Sequence, residues 1–245
     1  NDCEFRLGRL LFKCLSKLTG KYPEWGILTG VRPVKLINKL RNSGLSYDEI
    51  KFRLETEYLM TDGKIDIGYK TALNQDRIIS GMPKKSFSLY VSIPFCPTRC
   101  AYCSFVSQTV SSFKKLMPEY VDKLCEEIRY TANLVKDSNF TLDTVYFGGG
   151  TPTSLEASDL ERIMKTVAEC FDTRHLREYT VEAGRPDTVT LEKLNVIKDN
   201  GGDRISVNPQ TIHNSVLKEI GRAHTAEQFF ESYNLAKTIG YKAVN

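Results

Sequence analysis

The sequence has one tryptophan, three histidines and no strong excess of either charge. The histidines, His175, His213 and His224, stand isolated, and they read as solvent-facing or packing residues rather than metal ligands. The 34 lysines and arginines against 30 acidic residues leave a formal charge of +4 and a pI near 8.6, with no basic run. That balance suits an anionic ligand and argues against a nucleic-acid binder. No apolar stretch approaches the roughly 20 residues a membrane span needs. No signal-peptide pattern opens the chain and no low-complexity tract interrupts it. The expectation is a cytoplasmic protein without a membrane span, made of one large domain or two modest ones. Because residue 1 is asparagine rather than methionine, a piece of a longer protein is expected. The seven cysteines are an odd number, and a disulfide scaffold of this size would be unusual. In a reducing compartment, closely spaced cysteines more often bind metal or do chemistry.

Two regions differ in rhythm. Residues 1–85 read as a mostly helical accessory region. "CEFRLGRLLFKCLSKLTG" places Phe5, Leu7, Leu10, Leu11, Cys14, Leu15 and Leu18 at helical spacing, with Gly20 as the stop. Cys14 lies on that stripe and is expected to pack in the core. Pro33 suits a first helical turn and Gly44 a position just past a helix end. Ser46 and Glu49 have capping-box spacing.

Residues 86–245 alternate strand and helix. "FSLYVSI", "DTVYFGGG", "YTVEAG" and "DRISVN" are short β-rich runs separated by amphipathic helical patterns, and "YKAVN" opens a fifth strand. Such alternation argues βα units on a parallel sheet, with ligands at the C-terminal ends of the strands. A full eight-unit barrel takes roughly 200–250 residues. The expected fold is therefore α/β, a partial (β/α) barrel truncated within the fifth strand.

The densest chemistry follows the first of these strands. "PFCPTRCAYCSF" holds Cys96, Cys100 and Cys103 on one loop, spaced Cys-x3-Cys-x2-Cys. A structural zinc site wants four ligands, usually as two separated pairs, and no second pair is present. An iron–sulfur cluster ordinarily takes one cysteine per iron, so three leave one iron of a cubane open. Zinc and unligated loop thiols remain the alternatives. Cys125 and Cys170 fall in helical patterns and read as core residues. "VYFGGGTPT" ends the second strand with Gly148, Gly149 and Gly150, suiting a tight turn or a loop pressed against a ligand. It lacks the lysine of a phosphate-binding loop.

The cysteine spacing at the end of a first strand resembles that of the radical S-adenosylmethionine (radical SAM) superfamily. That resemblance implies a [4Fe–4S] cluster on Cys96, Cys100 and Cys103, whose open iron binds S-adenosylmethionine. It also implies a deoxyadenosyl radical made by reductive cleavage, and an electron donor such as a flavodoxin or ferredoxin. With "FGGGTPT", "VEAGRPDT" and "RISVNPQT" added, residues 86–245 are similar to the oxygen-independent coproporphyrinogen III oxidase family and its heme-chaperone relatives. The combination of "WGILTGVRPVKL" with "CPTRCAYCSF" and "VEAGRPDT" resembles the coproporphyrinogen dehydrogenase subtype of clostridia and bacilli, which has its own N-terminal domain. Carried onto this chain, the family pattern assigns Tyr90 to a position beside the cluster. Gly149 and Glu182 fall at a first S-adenosylmethionine. Tyr102, Gly150, Thr151, Gln210 and Arg222 fall at a second. The implied reaction is oxidative decarboxylation of coproporphyrinogen III to protoporphyrinogen IX. The alternatives are heme trafficking and radical chemistry on heme itself. One position departs from the dehydrogenase pattern: Phe105 stands where that pattern has a further cysteine, as in the heme-chaperone branch.

Overall fold

The computed structural model describes residues 2–30 and 32–245. They form two compact units, one ending at Met82 and the other Pro83–Asn245. Among the described residues no helix is long and apolar enough to cross a membrane.

The first unit contains α1 (Asp2–Thr19), α2 (Val34–Asn42), α3 (Tyr47–Thr56) and α4 (Asp62–Ser80). Ile37, Leu40, Ile50, Leu54, Met60, Ile65 and Ala72 make its core. α3 opens on the expected capping box: the Ser46 side chain accepts from the Glu49 amide, and the Glu49 carboxylate accepts from the Ser46 amide. The α1 stripe differs from the sequence expectation. Leu7, Leu10, Leu11, Leu15 and Leu18 are exposed, and so is Cys14. The helix instead docks through Phe5, the one partly buried residue among those named for the stripe, and through polar residues beside it. Phe5 meets the Tyr58 ring edge-on at 5.1 Å, Arg9 donates to the Thr56 carbonyl at 3.0 Å, and Ser16 is buried. An apolar stripe sets the helical period, but not which neighbours are available to cover it.

The second unit runs β1 (Ser86–Ile93), β2 (Phe95–Cys96), β3 (Gln108–Thr109), α5 (Val110–Phe113), α6 (Met117–Val135), β4 (Thr141–Gly149) and α7 (Ala157–Cys170). It continues with β5 (Glu178–Glu182), α8 (Leu191–Asp199), β6 (Arg204–Ser206), α9 (Asn214–Glu219), α10 (Ala226–Ile239) and β7 (Ala243–Val244). The main sheet is ordered β1-β4-β5-β6-β7, and every pairing in it is parallel. Strands in sequence order with helical crossovers are the pattern of a partial (β/α) barrel.

Period-two alternation gives the sheet two unlike faces. Val91, Ile93, Val145, Phe147, Tyr179, Val181 and Ile205 are buried in one core with side chains of α6, α7 and α8. Cys125 is fully buried in that core, and Cys170 packs against it. The opposite positions are polar. Tyr90 and Ser92 are paired with Tyr146 and Gly148, Tyr146 with Thr180, and Glu182 with Ser206. A barrel interior meant only as packing carries bulky branched residues. Hydroxyls, a carboxylate and close-packed aromatic rings instead suit a face turned to a ligand.

Candidate functional site

The cysteine loop is built by backbone constraints. Pro94 ends β1, and the Gln108 amide donates to the Pro94 carbonyl at 2.7 Å, closing the loop as β2 pairs with β3. Within it the Cys103 amide donates to the Cys100 carbonyl at 3.1 Å. The Ala101 amide donates to the Ile220 carbonyl at 3.0 Å, tying the loop to the end of α9. All seven cysteines are free, and Cys96, Cys100 and Cys103 are half-buried.

Those three thiols line one cleft together with Tyr102, Phe105, Gly149, Gly150, Thr151, Glu182, Gln210 and Arg222. The cleft lies at the C-terminal ends of β1, β4, β5 and β6. Of the sequence-predicted site residues only Tyr90 stands outside the lining. It faces Glu182 from one side: a side chain at Gly148 would lie 2.9 Å from the Tyr90 hydroxyl and 3.2 Å from Glu182 Oε2. A larger cavity of about 780 Å³ opens at the other ends of the strands, lined by Phe87, Leu142, Asp143, Cys170, Phe171 and His175 among others. It gathers no group of thiols, so size does not identify the site.

The glycine segment packs against the end of β1 and against β2, next to Cys96. Gly149 has φ +101°, and a Cβ there would meet Ser92 Oγ at 2.7 Å. Only glycine fits this close approach of β4 to the end of β1. The Cys96 thiol lies 3.4 Å from Thr151 Oγ1. The Tyr146 hydroxyl donates to Glu182 Oε1, and the Tyr146 ring stacks on Tyr90 at 5.7 Å. Burial, together with that hydrogen bond to a carboxylate, raises the Tyr146 pKa. Burial, reinforced by the Glu182 charge, raises that of Tyr90. Both phenols are therefore neutral donors at pH 7.

Arg222 is a buried strut rather than a surface arginine. It donates to the Gly184 carbonyl at 2.7 Å and to the Tyr102 hydroxyl at 3.0 and 3.3 Å. It thereby joins the cysteine loop, the loop after β5 and the segment between α9 and α10. Burial raises the Tyr102 pKa, with Arg222 pulling the other way. Gln210 is exposed and holds a left-handed backbone, φ +59°. For a non-glycine residue that costs about 1–2 kcal/mol, and such strain concentrates at ligand sites.

Sequence reasoning had not singled out Tyr146, Thr98, Asn208 or Arg185. Tyr146 was within reach of it, since its period-two position shares the face of Tyr90 and Glu182. Arg185, only 3% exposed, has a local signal limited to its place beside Glu182 in "VEAGRPDT". His224, read as a packing or solvent residue, is buried. Its Nδ1 has no hydrogen-bond partner among the described residues, and burial holds its pKa below the ordinary value.

The donor set suits an iron–sulfur cluster. Three free thiols line one cleft with a glycine segment and one carboxylate, which suits a group that takes one thiolate per iron.

Residues 90–245 match the family model of the Radical SAM superfamily, and the chain belongs to that superfamily. Its members use a [4Fe–4S] cluster and S-adenosylmethionine. The oxygen-independent coproporphyrinogen-III oxidase-like protein HemZ of Bacillus subtilis (strain 168) is 40% identical over 233 residues, covering 93% of this chain and 46% of that protein. The heme chaperone HemW of Lactococcus lactis subsp. lactis (strain IL1403) is 37% identical over 163 residues, covering 66% of this chain and 41% of HemW. Among solved structures, coproporphyrinogen III oxidase (HemN) from Escherichia coli, described as a radical SAM enzyme, superposes with a TM-score of 0.60 at 29% identity. That superposition covers 71% of this chain and 39% of HemN. The chain thus spans less than half the length of the curated relatives it matches.

Proposed function

We propose that this chain is the cofactor-binding portion of a radical SAM oxidoreductase that oxidatively decarboxylates coproporphyrinogen III to protoporphyrinogen IX without oxygen. The observation that carries the reading is the single cleft lined by Cys96, Cys100 and Cys103 together with Gly149, Gly150, Thr151, Glu182, Gln210 and Arg222. In this reading the three thiolates hold the cluster. Tyr90, Gly149 and Glu182 hold one S-adenosylmethionine, and Tyr102, Gly150, Thr151, Gln210 and Arg222 hold a second. The bound cofactors supply a hydrogen-abstracting radical, a reaction the protein orients but does not itself perform.

The chain's own task is placement. Glu182, already accepting from Tyr146, has a second oxygen for the ammonium group of a methionine moiety, a charge-assisted contact. Arg222 supplies positive charge where a carboxylate would enter. Each propionate that becomes a vinyl group loses one hydrogen atom, one electron and carbon dioxide, which balances the atoms and the charge. The bound cofactor would take the hydrogen atom, and an external acceptor would take the electron. An electron donor of flavodoxin or ferredoxin type would reduce the cluster at the outset.

Phe105 favours a second reading. It lines the cleft, 59% exposed, at the place where the dehydrogenase pattern has a cysteine. A phenylalanine offers stacking area but neither a thiolate nor a transferable hydrogen. That fits a heme-binding trafficking protein of the same family. The test is anaerobic incubation of the full-length protein with dithionite, S-adenosylmethionine and coproporphyrinogen III. Protoporphyrinogen formation supports the oxidoreductase. Deoxyadenosine release without decarboxylation, with stoichiometric heme binding, overturns it in favour of the chaperone.

A further inference from the structure

Arg185 lies on the loop after β5, and all five of its N–H donors have acceptors. Nε donates to Asp187 Oδ1 at 3.2 Å. One terminal nitrogen donates to the Thr98 carbonyl at 3.1 Å and to Cys100 Sγ at 3.7 Å. The other donates to Thr98 Oγ1 at 2.8 Å and to Asp187 Oδ2 at 3.3 Å. The Thr98 hydroxyl in turn donates to the Gly221 carbonyl at 2.7 Å. A planar guanidinium is thus wedged between one carboxylate and the loop bearing the three cysteines. Its hydrogen bond to sulfur goes to Cys100, and none is seen from it to Cys96 or Cys103.

We propose that Arg185 is a positioning residue that fixes the cysteine loop and, through Cys100 Sγ, makes the cluster easier to reduce. The proposal rests on the reading that Cys96, Cys100 and Cys103 hold that cluster. Its physical basis is that hydrogen bonds and positive charge at a ligating sulfur stabilise the state carrying one more electron. With the Arg185 side chain 3% exposed, water screens this field little. Asp187, whose side chain is 17% exposed, offsets part of it. His224 Nδ1 lies 3.9 Å from Asp187, and burial keeps that ring neutral at pH 7, so it adds no charge. Lysine would restore the charge but not the fork that reaches Thr98 and Cys100 together.

Removing the arginine and removing its counter-ion therefore act in opposite directions. The test is an anaerobic redox titration of the reconstituted chain and its Arg185→Gln, Arg185→Lys and Asp187→Asn variants. The readout is the paramagnetic signal of the reduced cluster, with iron content measured on each sample. At the potential that half-reduces the parent chain, Arg185→Gln is expected to show about a tenfold lower reduced-to-oxidised ratio, equivalent to ~59 mV for one electron. Asp187→Asn is expected to show a higher ratio, and Arg185→Lys one between parent and Arg185→Gln. Unmoved potentials with iron intact overturn the proposal alone. If Arg185→Gln is folded by circular dichroism but holds no iron, Asp187→Asn decides, and a ratio at or below that of the parent overturns the proposal. A parent chain that binds no cluster overturns the cluster reading and this proposal with it.

Discussion

Glu182 shows how neighbours specialise a single carboxylate. It sits at the last position of β5, where a side chain leaves the strand toward the cleft, and one of its oxygens is occupied by the Tyr146 hydroxyl. Tyr146 is itself held by stacking on Tyr90. The carboxylate is thus fixed in place while keeping acceptor capacity for an ammonium group. A charge-assisted hydrogen bond of this kind contributes about 1.5–3 kcal/mol. Glu182→Gln should therefore weaken S-adenosylmethionine binding by about 10- to 100-fold and leave iron content unchanged. Calorimetry on the cluster-loaded chain measures this, and an unaltered Kd would exclude Glu182 from the binding site. Tyr146→Phe should cost less, because it removes only the residue that orients the carboxylate.

At the scale of elements, the cysteine loop keeps its shape through the turn after α9. Gly221 has φ +77°, and a Cβ there would lie 2.8 Å from the Arg99 carbonyl. Gly240, at the end of α10, has nearly the same φ, +78°, but a Cβ there would meet none of the described residues beyond its chain neighbours within 4 Å. The two glycines separate backbone strain from loop displacement. Gly240→Ala should cost about 1 kcal/mol of stability and retain full iron uptake. Gly221→Ala should show a comparable or larger loss and, in addition, reduced iron uptake, because the loop must move away. Melting temperature and iron content on the same samples check this, and full iron uptake by Gly221→Ala would contradict it.

Much of this element-level structure was legible beforehand. Alternation in "SLYVSI", "TVYFG" and "YTVE" marks the strands, because residues on the core face must be apolar. The Ser46–Glu49 box marks a helix start, because it satisfies orphan amides locally. What stayed hidden depends on contacts between segments distant in sequence. The side of α1 that docks was set by Tyr58 and the Thr56 carbonyl, not by its leucine stripe. Arg185 acquires its meaning only when β5 brings it against Thr98 and Cys100, 87 and 85 positions earlier.

For the whole second unit, one apolar face buried under helices leaves the opposite face polar, and the cleft occupies the C-terminal end of the sheet. The central claim is that the three loop cysteines, and not the others, hold an open cluster there. Cys14 is an internal control, being exposed, free and on α1 of the first unit. The most direct measurement is the iron and sulfide content of the chain after anaerobic reconstitution, compared across the parent, Cys100→Ala and Cys14→Ala. About four irons per chain are expected for the parent and for Cys14→Ala, with most of the cluster lost in Cys100→Ala. Equal iron in all three, or equal loss in both variants, would contradict the account.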